Sequence, residues 1–423
     1  MVDQRRFENQ PSQFLEAKPA AKLLGVELRT LYAYASRGLV RSVRGARGLK
    51  RLYSVEDLDR LKLRSGARAG HGAVAAGALR WGEPVLDSAI TQITPRGPSY
   101  RGRLATDLAA ARVRFENVAE LLWSGYLPSE PIAWPRPALP LAQLGKLVPA
   151  GARPLEVMQL LVPLAGLADP NRGDGRPDAI VARCRQLVPL LAASLASSAN
   201  AELAAAHFTR ALSAPSVAAI ATRALGLDDE IAPTIETVLI VLADHELNAS
   251  SFAARVVAST EADPYACFAA ALAAVSGPRH GTATETLARY ADDIGSPERA
   301  VRIVKELRTR GEAPPGFGHQ LYPDGDPRAT PLLAAARGST HKRARTILAI
   351  TDAVAAEKKP RGLYPTVDIA LAALVASLGL PAAAGSGLFA VARSAGWLAH
   401  VLEQRAAGYL LRPRARYTGV ATL

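Results

Sequence analysis

An all-α fold is what this chain of 423 residues predicts, and three observations carry that expectation. Hydrophobic residues make up 49% of the chain and aromatics only 5%, with Ala and Leu supplying most of the apolar content. Such a core suits close-packed helices better than sheets. Apolar residues recur at spacings of three and four over 155–168, 180–195, 201–212, 216–225 and 231–243, the period of a helix with one buried face. Loops of Gly, Pro and Asp separate most of these stretches, and no spacing between them suggests parallel strands. Single cores stop growing beyond roughly 250 to 300 residues, so two to three domains are expected.

Taken in order, residues 15–24 read as a short amphipathic helix with Leu15, Ala20, Leu23 and Leu24 apolar, stopped by Gly25. A second helix over 29–36 carries Leu31, Tyr32 and Tyr34 and ends at Gly38. Two helices joined by a tight Gly-containing turn make a helix-turn-helix. Residues 40–53 alternate basic and apolar residues around Gly45 and Gly48, as a β-hairpin wing would. Ser54 followed three residues later by Asp57 is a capping box opening a helix with Val55, Leu58 and Leu61. This region is also where the charge sits. Residues 1–68 hold 15 Lys and Arg against 7 Asp and Glu, a net of +8 out of +13 for the chain.

The wording Ala20-Ala21-Lys22-Leu23-Leu24-Gly25-Val26, Thr30-Leu31-Tyr32-Ala33-Tyr34, Ser36-Arg37-Gly38-Leu39-Val40 and Arg51-Leu52-Tyr53-Ser54 resembles the MerR-like or excisionase-like winged helix-turn-helix. The resemblance implies duplex DNA as a partner. Arg29, Thr30, Tyr32 and Arg37 would lie on or near the recognition helix, and Arg44, Arg47, Lys50 and Arg51 on the wing. The concentrated positive charge favours phosphate contact over a purely protein-contact module. Glu27 departs from the Ser or Thr helix cap that such modules often carry. This domain is expected over 1–64, with a Gly- and Ala-rich linker over 65–80.

Beyond the linker, 117–123 is helical by period, 131–140 is Pro-rich and irregular, and 266–275 forms a very apolar helix ending at Gly277-Pro278. His280 follows that break and is expected in the first turn of the next helix, where the dipole disfavours a protonated ring. The loop Gly316-Phe317-Gly318-His319-Gln320-Leu321-Tyr322-Pro323-Asp324-Gly325-Asp326-Pro327-Arg328 puts an imidazole and a guanidinium in one segment, a proton carrier beside an anion clamp. The uncharged run 369–392 is long enough to raise a membrane span. Pro381 and a turn at Gly385-Ser386-Gly387 are expected to break it into buried helices. Cys184 and Cys267 show no paired or metal-ligand spacing and read as buried thiols of a reducing cytoplasm, and no apolar signal segment follows Met1.

Four blocks in this order, Asp244-His245-Glu246-Leu247-Asn248-Ala249-Ser250, Gly277-Pro278-Arg279-His280-Gly281, the loop from Gly316 to Arg328 and Pro365-Thr366-Val367-Asp368, resemble the signature segments of citrate synthase. Phe389 to His400 and Leu411 to Gly419 continue the pattern, which spans about residues 81 to 419. The resemblance implies a large helical domain over 81–281 and 379–423 and a small one over 282–378, closing over a cleft. It implies His280, His319 and Asp368 as catalytic groups and His245, Arg328, Arg393 and Arg412 as substrate-binding groups, Arg412 reaching in from the second subunit of a homodimer. His207, His341 and His400 match nothing functional and read as structural or solvated.

The implied activity condenses acetyl-CoA with oxaloacetate and water to citrate and CoA, without metal or cofactor, the CoA thioester being a substrate. Propionyl-CoA, giving 2-methylcitrate, is the alternative within the same chemistry, and a metabolite-sensing transcription regulator on the same scaffold is the alternative of another class. Family members usually continue the His280 block as Gly-Gly-Ala-Asn and carry Asn before Val-Asp. Here the residues are Gly281-Thr282-Ala283-Thr284 and Thr366.

Overall fold

The computed structural model of the chain describes residues 14–36, 39–40, 42–44, 51–55, 57–58, 86–137, 151–196, 201–356, 363–415 and 419. It divides into two compact units, Met1–Asp87 with Pro413–Leu423, and Ser88–Arg412.

In the first unit, helices α1 (Ala17–Leu24) and α2 (Leu28–Ser36) form the expected helix-turn-helix. Gly25 ends α1 at φ 66°, a left-handed conformation that costs a glycine little. Strands β1 (Phe14–Glu16), β2 (Ser42–Arg44) and β3 (Arg51–Ser54) make an antiparallel sheet in the order β1-β3-β2, with Leu15 opposite Tyr53 and Val43 opposite Leu52. The wing is therefore present, but residues 14–16 are its third strand and not the start of a helix. Extended backbone at Leu15 gains ladder bonds on β3 that an isolated first helical turn lacks. Ala20, Ala21, Leu31, Val40, Tyr53 and Leu58 form the small core, and Ser54 Oγ accepts the Asp57 N–H at 3.4 Å as the capping box requires. The linker expected over 65–80 lies outside the described residues.

The second unit is mainly helical. An antiparallel meander of β4 (Thr91–Thr94), β5 (Gly97–Tyr100) and β6 (Arg103–Leu104) precedes it, which the all-α expectation did not include. Its tight turns use positive φ at Gly97, Arg101 and Gly102. Tyr100 anchors it, buried, with its hydroxyl donating to Ile240 O at 3.0 Å. Then come α3 (Ala105–Ala110), α4 (Phe115–Ser124), α5 (Pro154–Ala168), α6 (Pro177–Ala193), α7 (Ala201–Ala211), α8 (Val217–Ala224), α9 (Ala232–Leu242), α10 (Ala249–Ala258) and α11 (Pro264–Val275). The chain continues with α12 (Ala283–Ile294), α13 (Pro297–Thr309), α14 (Ala329–Ala336), α15 (Lys342–Ala356), α16 (Val367–Ser377) and α17 (Ala383–Ala407). Where caps are legible in sequence they set the ends: Ser216, Asn248, Asp263 and Ser296 each accept a backbone N–H of the first turn.

The uncharged run becomes two buried helices broken at Pro381, but the Gly385-Ser386-Gly387 turn does not form there. Those residues lie inside α17, where a Cβ on Gly387 would come 2.8 Å from Pro154 and one on Gly385 3.0 Å from Thr284 Oγ1. The glycines serve close helix approach rather than chain reversal. Among the described residues no helix is long and apolar enough to cross a membrane. Cys184 and Cys267 are free and buried.

Candidate active site

α9 ends at Leu242, and α10 starts only when Asn248 Oδ1 takes the Ser250 and Ser251 N–H groups. Between them Asp244 Oδ2 accepts the Glu246 N–H at 3.0 Å and holds Glu246 at φ 56°. This turn, not a helix end, presents His245. Behind it Asp244 Oδ1 lies 3.4 Å from His400 Nε2, both side chains wholly buried, which gives His400 the structural role expected of it.

His319 arrives from a different direction. Gly318 N donates to Tyr364 O at 2.8 Å and Thr366 N to Gly316 O at 2.9 Å, so the glycine loop pairs with the strand-like segment leading into α16. Gly316, at φ 87°, passes so close to α16 that a Cβ would fall 2.8 Å from Ile369 Cβ. The pairing sets His319 and the first turn of α16, which carries Asp368, side by side. His245 and His319 then meet edge to face with ring centroids 5.5 Å apart, and Tyr322 joins them, its hydroxyl 2.9 Å from His245 Nε2. His319 Nδ1 accepts the Leu321 N–H at 3.2 Å, which leaves the proton of the neutral ring on Nε2.

His280 stands ahead of α12, not in its first turn as expected, because Thr282 occupies the N-cap position. Its Nε2 lies 2.9 Å from Ser250 Oγ, which also receives the Trp397 indole N–H at 3.0 Å and lies 2.7 Å from Asn248 Oδ1. A carbonyl oxygen cannot donate, so the Ser250 O–H goes to Asn248, and His280 donates from Nε2.

Arg328 and Arg393 are both buried. Asp326 Oδ1 accepts Arg328 N and Nε, at 3.1 and 2.9 Å, while Oδ2 accepts Nη2 at 2.8 Å. The guanidinium also lies 5.3 Å from the centre of the Tyr322 ring. Arg393 donates from Nε to Leu242 O at 2.9 Å and stands 4.6 Å over Phe389, whose ring meets His280 edge to face.

Electrostatics follow from this burial. Desolvation lowers His280 to about 4, with Arg393 adding to the effect. Desolvation and the charges of Arg328 and Arg393 hold His245 well below its ordinary value, and desolvation and Arg328 lower His319. All three rings are neutral at pH 7 by this account. Burial raises Asp368, against which Arg328 pulls downward and Asp326 upward. Among the described residues no group of three His, Cys, Asp or Glu is arranged to hold a metal ion.

The structure thus gathers His245, His319, Arg328 and Asp368, with Arg393 and His280 coupled to them electrostatically. It does not bring in Arg412, which is exposed on this chain. Tyr322, Asp326, Ser250 and Trp397 were missed as site residues. All four stood inside the recognised blocks, and the Asp-Pro-Arg spacing was the available signal for Asp326. In the first unit, Arg29 and Tyr32 are exposed on α2, Thr30 is half-buried beside them, and Arg51 is exposed on β3. Of Arg44 only the backbone is described, and Arg37, Arg47 and Lys50 lie outside the described residues.

Comparison with known proteins agrees with both halves. The family model for the citrate synthase C-terminal domain matches residues 78–414, and that for the MerR HTH family regulatory protein matches 17–72. Citrate synthase 2 of Bacillus subtilis is 42% identical over 186 residues, covering 43% of this chain and 49% of that protein, about half its length. A 2-methylcitrate synthase of Mycobacterium tuberculosis is 30% identical over 362 residues, covering 80% of this chain and 89% of that protein. The crystal structure of citrate synthase from Thermotoga maritima superimposes with a TM-score of 0.66 at 26% identity, over 81% of this chain and 95% of that one.

Proposed function

The chain belongs to the citrate synthase family, and on that premise we propose that it condenses acetyl-CoA with oxaloacetate and water to give citrate and CoA. One observation carries the reading furthest. Asp326 binds the Arg328 guanidinium and the first N–H of the helix bearing Asp368, so an anion clamp and a buried carboxylate base are fixed to each other.

The methyl of a thioester is a very weak acid, and a carboxylate removes its proton only if the developing enolate is stabilised in the same step. Asp368 is the base, its basicity strengthened by burial. His280 stabilises the thioester oxygen by hydrogen bonding. For a neutral ring to donate there from Nδ1, His280 takes the Nδ1–H tautomer, and the Ser250 hydroxyl turns from Asn248 to donate a hydrogen bond to Nε2, keeping its own proton. The enolate carbon then bonds to the keto carbon of oxaloacetate while the keto oxygen takes the Nε2 proton of His319. Water releases CoA from the citryl thioester. His245, Arg328 and Arg393 hold the dianion, joined by Arg412 of a second protomer in a homodimer. The small domain, 282–378, closes over the large one and excludes water.

Propionyl-CoA is the competing thioester. It differs by one methylene, worth only ~1 to 3 kcal/mol of discrimination in an apolar pocket. CoA release measured with oxaloacetate and each thioester in turn tests the activity and ranks the two; no release with either refutes it. Near-normal turnover by Asp368→Ala would refute the base.

The match of residues 17–72 to the MerR family favours a second activity, salt-sensitive binding of duplex DNA. A twofold dimer sets two α2 helices for a palindromic site. A gel shift on the upstream DNA of its own reading frame, with and without oxaloacetate, tests it, and absence of salt-sensitive binding removes it.

A further inference from the structure

A cavity of about 680 Å³ opens between the turn at 109–114, the helices α8 and α9, and α14. None of its lining residues belongs to the site described above, and its size falls within the roughly 300 to 1,000 Å³ of small-molecule sites. Pro233, Pro331 and Leu332 give it apolar walls, and Arg112, Arg114 and Arg223 line the same space, with Asp229 and Glu236 as its acidic residues.

The three arginines are not equivalent. Asp229 holds Arg223 through two bonds of 3.0 Å. Arg112 N donates to Ala109 O and Arg114 O accepts the Val118 N–H, but their side chains make no hydrogen bond and no ion pair among the described residues. Two carboxylates couple to Arg114 by charge without bonding it: Glu236, which lines the cavity as well, accepts the Phe115 N–H through Oε1 at 2.6 Å, and Glu116 Oε1 accepts the Val217 N–H at 2.7 Å. Neither the Arg112 nor the Arg114 guanidinium is tied up by a bond to a described residue of the chain. They offer planar forks to anionic oxygens while the walls receive a carbon frame. The first turn of α9, at Pro233 and Thr234, borders the cavity too and adds the positive end of an 11-residue helix.

The remaining wall gives occupancy a consequence. α14 begins at Ala329, directly after Arg328, and Pro331 and Leu332 of that helix line the cavity. Leu332 is wholly buried in the core that also holds Val367 and Ile369 of α16, so α14 joins the cavity wall to the segments carrying Arg328 and Asp368.

We propose that this cavity binds a small organic polyanion, a phosphate ester or a polycarboxylate, and that through α14 its occupancy alters the hold of Arg328 on the keto acid. The second half rests on the synthase reading, and the first does not.

The test is calorimetric titration of the full chain at low salt with AMP and with tricarballylate, alone and with saturating oxaloacetate, against the double variant Arg112→Ala/Arg114→Ala. The binding lost in the variant is the quantity read. At least one probe is expected to bind, at least tenfold more weakly in the variant, and which probe binds decides between phosphate ester and polycarboxylate. Oxaloacetate is expected to change that probe's Kd at least twofold, and by reciprocity the probe changes the Kd of oxaloacetate by the same factor. Neither probe binding, or equal binding by the variant, overturns the site. An unchanged Kd in the presence of oxaloacetate overturns the coupling. Should oxaloacetate itself not bind, the coupling falls with the synthase reading while the probe's arginine-dependent binding still decides the site. Without probe, the variant is expected to keep wild-type kcat and KM.

Discussion

Asp326 Oδ2 accepts the backbone N–H of Val367 at 3.0 Å, across 41 residues of sequence, while the same carboxylate holds Arg328. Burial opposes the charge on Asp326, and Arg328 and the two backbone donors more than offset it, keeping its pKa below the ordinary carboxylate value. Asp326→Asn keeps the shape and removes the charge, leaving Arg328 without its paired carboxylate in a buried position. Breaking such a pair costs about 3 to 5 kcal/mol. The expected outcome is a lower urea midpoint together with a rise in KM for oxaloacetate larger than that for the thioester. Loss of stability with KM values unchanged would make the pair purely structural.

His280 gives a pH dependence with a definite sign. Its folded pKa is about 4, and the unfolded value is near the ordinary 6.5, because burial and then Arg393 disfavour the imidazolium. The unfolded chain takes up this proton first as pH falls. Stability from the neutral ring is therefore complete above about pH 6.5 and is lost toward pH 4, by about 3 kcal/mol in total. His245 and His319 shift in the same direction and deepen the loss. Denaturant unfolding followed between pH 4 and 8 should show this slope, and His280→Asn should be visibly flatter.

How much of this was legible in the sequence depends on the range of the interaction. Helices 155–168 and 216–225 were found within a residue or two because their apolar period and their caps are local, Ser216 among them. The roles of Gly385 and Gly387 were not, since what excludes a Cβ there is Thr284 and Pro154, far away along the chain. The β4–β6 meander escaped for a related reason. Its strands are two to four residues long, too short to show an alternating pattern, and Tyr100 is fixed by α9 rather than by its neighbours. Within the site, the blocks gave His319 and Asp368 but not the pairing of Gly316 and Gly318 with Thr366 and Tyr364 that sets them together.

Glu236 titrates in the opposite sense. Burial first, and the nearby Glu116 second, raise it from 4.5 to about 7. A carboxyl raised in the folded state stabilises fully below its unfolded pKa, and that contribution is lost as pH rises through about 7, for an upper estimate of about 3 kcal/mol. Glu236→Gln keeps an oxygen for the Phe115 N–H and carries no charge. The variant should match the wild type near pH 4 and exceed it in unfolding free energy at pH 8. Equal stabilities at pH 8 would mean that the carboxyl is not desolvated.

Gly396, in α17, donates its N–H to Ala243 O at 3.0 Å, and this approach leaves no room for a side chain. A Cβ there would meet Ala243 O at 2.7 Å and Asp244 Cβ at 2.9 Å. Both contacts are backbone or rigid, so Gly396→Ala forces α17 away from the turn, at a cost of ~1 to 3 kcal/mol or more. Asp244 sets the turn that carries His245, so the displacement should appear as a raised KM for oxaloacetate as well as lost stability. Gly173→Ala, where nothing lies within 4 Å of the added carbon, is the matched control and should change neither. If Gly396→Ala unfolds more easily yet binds oxaloacetate as the wild type does, the Asp244 turn does not position His245 for the keto acid.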